Sequence, residues 1–148
     1  MDGGRRTPAI REGADTPLIT RIHSTPVVVS DQERALEFYT RVLGWEKDID
    51  HDMGNGMRFL TVRPPGGDTV LSLGTPEMHG RPVPGAEPRH TGISLAGTDV
   101  RATFDDFRAL GVRIIQEPEE MSWGTVGGHF ADPDGNVFFV AEERADES

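Results

Sequence analysis

The chain has 148 residues, of which 35% are hydrophobic, and its 15 basic and 25 acidic side chains give a formal net charge of −10. This length fits one domain, or two small similar halves that share a core. The excess of acid disfavours nucleic acid and anionic membranes as partners, no apolar run approaches a membrane span, and the N-terminus lacks the apolar core of a secretory signal. Because the sequence contains no cysteine, disulfides and thiolate chemistry are excluded, and a cytoplasmic protein is expected.

The first elements follow a non-periodic N-terminus. Residues 1–20 are rich in Gly, Pro, Arg and Asp, and we interpret them as a mobile arm. A strand is predicted over residues 22–29, where Pro26 indicates a sheet edge or a bulge. Residues 30–33 read Ser-Asp-Gln-Glu, a capping box that predicts the start of a helix, and Gly44 is expected to end it.

Two more strands are predicted over residues 58–62 and 69–73, with a Pro-Pro-Gly-Gly turn between them. Residues 75–89 contain four prolines and are interpreted as an extended linker. The pattern then starts again, with a second helix that is capped by Thr98 or Asp99 and ends at Gly111. The strands predicted around this helix cover residues 91–96, 112–115, 125–131 and 136–141, and residues 143–148 form an acidic tail.

The chain therefore repeats a strand-helix-strands unit. The two helices end alike, in Arg-Val-Leu-Gly and Arg-Ala-Leu-Gly. A duplicated unit of this kind predicts one α+β domain over residues 21–142, made of two modules, about 21–74 and 90–142. We expect curved mixed sheets with the helices outside, and an inner sheet face that is free to hold a ligand.

The acidic cluster between the last two predicted strands allows two interpretations. Asp132, Asp134 and Asn136 could supply oxygen ligands to calcium. However, Gly135 is fourth in this segment rather than sixth, as a calcium loop requires, and Pro133 favours a tight turn. We interpret the cluster as a structural hairpin turn.

Three segments resemble the vicinal oxygen chelate superfamily, which includes glyoxalases, bleomycin-resistance proteins and extradiol dioxygenases. They are residues 29–45, with the pattern Asp…Ala-Leu-Glu-Phe-Tyr…Val-Leu-Gly-Trp, residues 110–112, which read Leu-Gly-Val, and residues 132–136, which read Asp-Pro-Asp-Gly-Asn. The likeness covers about residues 22–142. It implies paired βαβββ modules around a cup-shaped cavity, often in dimers.

The resemblance also implies where a metal would be held. The family's enzymes bind a divalent metal with His, Gln or Glu, and the corresponding positions of this chain fall on Ser24, Ser72, Gly92 and Phe139. None of these side chains is a good metal ligand, so the usual site is expected to be lost and no cofactor is expected. The alternative is a divalent metal in a rearranged site around His90, which shares strand parity with Gly92.

Other residues are expected at the ligand cavity. Trp123 lies in a loop that leads into a cavity-lining strand, where its ring could stack on a planar ligand. His129 and Phe139 lie on the strands that flank the hairpin turn. The predicted ligand-binding residues are Ser24, Ser72, His90, Gly92, Trp123, His129 and Phe139.

Three functions remain open at this point. The leading hypothesis is a metal-independent protein that binds a small molecule, an antibiotic or aromatic metabolite, in a homodimer like those of the bleomycin-resistance branch. The net acidity slightly favours a cationic ligand. The first alternative is a glyoxalase-like lyase, isomerase or dioxygenase with a metal near His90, and the second is a degenerate dimerisation or regulatory domain.

Overall fold

The structure is a computed structural model that describes residues 17–143. The predicted arm lies outside the described residues as far as residue 16, and so does the predicted tail from residue 144 onwards. Within residues 17–143, no helix is long and apolar enough to cross a membrane.

The first module is a four-stranded mixed sheet with one helical segment. Its elements are β1 (Ser24–Val28), α1 (Gln32–Glu37), β2 (Glu46–Gly54), β3 (Met57–Arg63) and β4 (Val70–Gly74). A π-helical turn, Phe38–Val42, continues α1 until Gly44 ends it with a φ of 77°. The strand order is β1-β4-β3-β2, with β1 parallel to β4 and the other pairs antiparallel.

The second module repeats this topology. Its elements are β5 (Arg89–Gly97), α3 (Val100–Leu110), β6 (Arg113–Glu120), β7 (Val126–Ala131) and β8 (Asn136–Glu142). The strand order is β5-β8-β7-β6, again with the first and last strands of the module parallel. The predicted α+β arrangement of two βαβββ modules with mixed sheets is confirmed.

Three local predictions were wrong. The whole of β2 was missed, because its sequence is acidic and nearly every residue is exposed, so it has no apolar alternation. The linker is not extended throughout, since Pro76–His79 forms a short helix, α2. The cap of α1 is Asp31, whose Oδ1 accepts a hydrogen bond from the Arg34 N–H at 3.1 Å, and not Ser30.

The two modules bury their apolar residues together. The core includes side chains of both halves: Val27, Tyr39, Leu60, Val62, Leu71 and Leu73 from the first, and Val100, Phe104, Phe107, Phe130 and Phe138 from the second. Phe130 stacks on Phe138 with ring centroids 5.5 Å apart, and Tyr39 meets Phe138 edge to face at 6.2 Å. These contacts fix which face of β7 and β8 is buried, and so which face is left open.

The hairpin between β7 and β8 fastens the modules together. Asp132 is 2% exposed and accepts hydrogen bonds from the N–H groups of Asp134 and Asn136 and from the hydroxyl of Tyr39, the last at 2.7 Å. Asn136 Nδ2 also donates to Asp132 Oδ2 and to the Val28 carbonyl oxygen. The carboxylate oxygens of Asp132 are therefore occupied by hydrogen bonds within the hairpin and from Tyr39, in agreement with a structural turn.

Electrostatics reinforces this hairpin. Burial, together with the neighbouring Asp132 carboxyl, raises the pKa of Tyr39 well above its ordinary value, so the phenol stays protonated and remains a donor. Burial also raises the pKa of Asp132, against the opposing effect of its hydrogen bonds from Asn136 and Tyr39. Asp134 accepts hydrogen bonds from the Ser30 N–H and Oγ, the latter at 2.7 Å, which explains why Ser30 does not cap α1.

Candidate ligand-binding site

Four aromatic side chains form a continuous row on the open face of the second sheet. We call His90, His129, Phe139 and Trp123 the aromatic row. Ring centroids lie 5.3 Å apart for His90 and His129, 4.9 Å for His129 and Phe139, and 6.3 Å for Phe139 and Trp123. These separations are in the range of direct aromatic contacts. The row therefore presents a connected aromatic surface contributed by β5, β7, β8 and the loop between β6 and β7.

Strand register explains the middle of the row. His129 on β7 lies directly opposite Phe139 on β8, and the next pair along the strands is Phe130 with Phe138. Successive side chains of a strand point to opposite faces. Because Phe130 and Phe138 are in the core, with 1% and 0% exposure, His129 and Phe139 must lie on the other face.

Two glycines of β7 make room for aromatic rings on its two faces. A Cβ atom on Gly127 would lie 2.7 Å from the tip of the Phe139 ring and 3.1 Å from the terminal methyl of Met121. A Cβ atom on Gly128 would lie 2.9 Å from the Phe104 ring. Gly127 therefore lets Phe139 lie against the sheet, and Gly128 lets Phe104 do so on the core side.

Hydrogen bonds orient the two histidines. The His90 Nδ1 accepts a hydrogen bond from the Gly92 N–H at 2.7 Å, in a stretch where Gly92 adopts a φ of 83° and the β5–β8 register shifts. The His129 Nδ1 is hydrogen-bonded to the Gln116 side-chain oxygen on β6. Burial lowers the pKa of His129 from its ordinary 6.5, and the nearby His90 lowers it further. His129 therefore favours the neutral imidazole.

The structure separates the predicted site residues into two groups. His90, Gly92, Trp123, His129 and Phe139 all belong to the second module, and the structure brings four of them together as the aromatic row. The two serines belong to the first sheet, where Ser24 is exposed at the start of β1 and Ser72 is 8% exposed in β4. Among residues 17–143, no described hydrogen bond or aromatic contact joins these serines to the row.

Sequence reasoning missed Gln116 and Met121. Gln116 reaches His129 because β6 carries an extra residue between Ile114 and Gln116, which no local pattern shows. The Gly127–Gly128 pair was a signal for such neighbours, since consecutive glycines inside a strand indicate that other groups approach its backbone closely. In the structure, Met121 lies next to Gly127 and the Gln116 backbone oxygen lies next to Gly128.

The side chains present do not fit the metal that the family's enzymes hold. Its expected ligand positions carry two serines, a glycine and a phenylalanine: Ser24, Ser72, Gly92 and Phe139. Divalent metals prefer imidazole, carboxylate or thiolate ligands, and these four positions supply none of them. Within the described part of the chain, no group of three or more His, Asp or Glu side chains is arranged to hold a metal ion.

The repeated βαβββ module and its open sheet face define a class of proteins. The model of the Glyoxalase/Bleomycin resistance protein/Dioxygenase superfamily matches residues 21–140, and the chain belongs to this superfamily.

The chain is also similar to individual proteins and solved structures. The chain is 34% identical over 125 residues to the uncharacterised protein YetH of Bacillus subtilis, an alignment that spans 84% of this chain and 100% of YetH. A superfamily member from Sphaerobacter thermophilus is 40% identical, with a TM-score of 0.76 over 85% of this chain and 99% of that structure. TnmS3, an antibiotic binding protein from Streptomyces sp. CB03234, is 32% identical, with a TM-score of 0.71 over 85% of this chain and 98% of that structure.

Proposed function

We propose that this protein binds an aromatic small molecule on the aromatic row, without the help of a metal. The observation that carries the proposal is the contact series from His90 through His129 and Phe139 to Trp123. Aromatic rings that remain partly uncovered offer π-faces to a planar ligand. One member of the row, Phe139, stands where the resemblance places a metal-binding side chain of the family's enzymes, and the row offers a surface suited to an organic compound.

The likeness to TnmS3 supports the same class of ligand. TnmS3 is described as an antibiotic binding protein, and it shares 32% of its residues with this chain over nearly its full length. We infer that the ligand is an organic compound of that kind, an antibiotic or another aromatic metabolite. Binding alone would then be the activity, since sequestration requires no bond to be made or broken.

We further propose that the working form is a homodimer. Trp123 is 57% exposed and Ile115, also in the second module, is 42% exposed. A ligand on so open a surface would keep contact with water on one side, whereas binding sites for small molecules bury most of the ligand. A second copy that covers the row would enclose the ligand and could bring Ser24, which is exposed on the first sheet, to the site.

A ligand screen tests the proposal. Protein treated with a chelator is screened against aromatic natural products by thermal shift, and hits are titrated by isothermal titration calorimetry. We expect Trp123→Ala to weaken binding by about three- to tenfold, as expected for the loss of one aromatic contact of about 1 kcal/mol. Leu110→Ala is the matched control, because both side chains are 57% exposed and Leu110 lies on α3. Equal affinities of Trp123→Ala and the control would contradict the proposed site.

The contact between His90 and His129 favours metal chemistry, since two neighbouring imidazoles can supply two of the ligands of a metal site. Elemental analysis of protein purified without chelators tests this alternative. Near-stoichiometric metal that is lost in His90→Ala would overturn metal-independent binding. A stable dimer with no stabilising ligand in the screen would instead favour a dimerisation or regulatory domain.

A further inference from the structure

A small pocket lies where β1 of the first module meets β5 of the second. Its volume is about 70 Å³, well below the roughly 300–1,000 Å³ of sites that hold drug-sized ligands, so it fits one functional group rather than a whole compound. Its charged lining consists of Arg81 and Arg89, with His90 beside them, and no Asp or Glu side chain lines it. In a chain with a net charge of −10, this is a local reversal of sign.

Neither arginine is engaged by a carboxylate among the described residues. The ion pairs found within residues 17–143 use other basic side chains: Arg34, Arg41, Lys47, Arg58, Arg63 and Arg108. Arg81 approaches the Pro26 carbonyl oxygen at 3.5 Å, which places its guanidinium beside the middle of β1. The Arg89 N–H donates to the Gly135 oxygen at 3.0 Å, which anchors its backbone against the buried hairpin.

His90 belongs both to this pocket and to the aromatic row. Its Nδ1 accepts a hydrogen bond from the Gly92 N–H, so the neutral ring carries its proton on Nε2 and that nitrogen is a donor. The same ring lies 5.3 Å from the ring of His129. A ligand with an aromatic part on the row could therefore place a substituent in the pocket without leaving the protein surface.

We propose that the pocket formed by Arg81, Arg89 and His90 binds an anionic oxygen group, a carboxylate or phosphate, on the aromatic ligand. This inference rests on the proposed function, because it concerns the same ligand. Guanidinium groups match such oxyanions in geometry and form charge-assisted hydrogen bonds with them. The ligand is thus an aromatic acid or aryl phosphate, the opposite charge from the one that the net acidity of the chain favours.

A series of naphthalene probes tests the charge preference. We measure the affinities of 2-naphthoate, 2-naphthyl phosphate and the neutral 2-naphthamide for the full chain. We expect one or both anions to bind about tenfold more tightly than the amide, since charge-assisted hydrogen bonds are about twice as strong as neutral ones. The double variant Arg81→Gln/Arg89→Gln should lose this preference and keep its affinity for the amide. Comparison of the two anions tells which oxyanion the pocket prefers.

The control must remove the same charge elsewhere. Arg41→Gln/Arg101→Gln removes two positive charges from the helical side, and its preference for anions should stay as in the wild type. Equal binding of amide and anions to the wild type, or an anion preference that survives in Arg81→Gln/Arg89→Gln, would overturn the proposal.

A second measurement separates the anion pocket from the aromatic site. Inorganic phosphate, compared with chloride at the same ionic strength, should raise the melting temperature of the wild type and not that of Arg81→Gln/Arg89→Gln. If no naphthalene probe binds but phosphate stabilises the protein in this arginine-dependent way, the aromatic site fails and the anion pocket stands. If phosphate has no effect, or acts equally on both proteins, the anion pocket is refuted whatever the probes do.

Discussion

Matching positions in the two sheets have opposite character. Thr61 and Ser72 lie opposite each other on β3 and β4, and His129 and Phe139 occupy the equivalent places on β7 and β8. The first pair is small, polar and nearly inaccessible, with 0% and 8% exposure, and the Thr61 hydroxyl accepts a hydrogen bond from the Ile49 N–H. The second pair is aromatic and half-buried. A duplicated topology thus carries a structural contact in one module and an uncovered aromatic surface in the other.

The turns before the last strand of each module differ in the same way. The turn after β3 is closed by its own backbone, with the Gly67 N–H donating to the Pro64 oxygen at 2.9 Å. The turn after β7 is buried, and its side chains bond to Tyr39, Ser30 and Val28 of the first module. The second module therefore supplies both the open aromatic face and the polar contact that fixes that face relative to the rest of the chain.

The largest effect is expected at this buried turn. Asp132→Ala removes the acceptor for four donors, namely the hydroxyl of Tyr39, the N–H of Asp134, and both the N–H and the side-chain amide of Asn136. Leaving buried donors unsatisfied costs about 1–3 kcal/mol each before relaxation, so we expect a loss of about 3–5 kcal/mol in the free energy of unfolding. Urea denaturation followed by circular dichroism measures it.

A cap residue provides the comparison for that variant. Asp99 caps α3 by accepting a hydrogen bond from the Ala102 N–H at 3.0 Å, and it lies on the surface. Asp99→Ala should cost only about 1 kcal/mol, as is typical for a lost N-cap. If both variants were destabilised equally, the hairpin would be an ordinary turn and the contrast between the two modules would fail.

An intermediate effect is expected from the adjacent glycines of β7, which test the two faces of the sheet separately. Gly128→Ala pushes a methyl group into the fully buried Phe104 ring and should cost about 1–3 kcal/mol of stability, the usual range for overpacking a core. Gly127→Ala meets the tip of the half-buried Phe139 ring, which has room to move. We therefore expect Gly127→Ala to keep more of the stability but to weaken binding of the aromatic ligand. Thermal denaturation measures the loss of stability in each variant, and ligand titration measures the loss of affinity. If Gly127→Ala lost more stability than Gly128→Ala, the assignment of the core to the Gly128 face of β7 would be contradicted.

The sequence was informative wherever a feature is local. Gly44 and Gly111 end their helices at a φ of 77° and 79°, as their positions after Arg-Val-Leu and Arg-Ala-Leu predicted. The repeat predicted the α+β modules because each helix is followed by turn-separated strands. In contrast, β2 was not predicted, because a strand that is exposed over most of its length has no periodic pattern of apolar residues.

The site was predicted less completely than the fold, because it depends on cross-strand register. The sequence placed His129 and Phe139 on the two strands that flank the hairpin turn, and the register pairs them directly across these strands. The partnership of Gln116 with His129 depends on a bulge in β6, and the pocket of Arg81 and Arg89 depends on how the linker returns past β1. Neither a bulge nor a linker path leaves a periodic pattern, so neither could be read from residue order.

The smallest expected effect concerns pH and again distinguishes the two sheets. The Thr61–Ser72 pair cannot titrate near neutrality, whereas the pKa of His129 is lowered from 6.5, chiefly by burial and secondly by His90. The unfolded chain therefore takes up a proton at His129 more readily than the folded chain does. This penalty is absent above about pH 6.5, grows as the pH falls through 6.5, and is fully present below the pKa of the folded state.

We therefore expect the free energy of unfolding to decline as the pH falls through about 6.5, the ordinary histidine pKa, and to level off below the lowered pKa of the folded state. His129→Gln should flatten part of that decline, since glutamine does not titrate. His51→Gln is the control, because His51 is an exposed residue of β2, and it should leave the slope of the wild type intact. Chemical denaturation at several pH values measures the three slopes. A His129→Gln slope that matches the control would show that His129 is solvated like a surface residue. The two sheets would then differ in the size and exposure of their matching side chains but not in the pH dependence of stability.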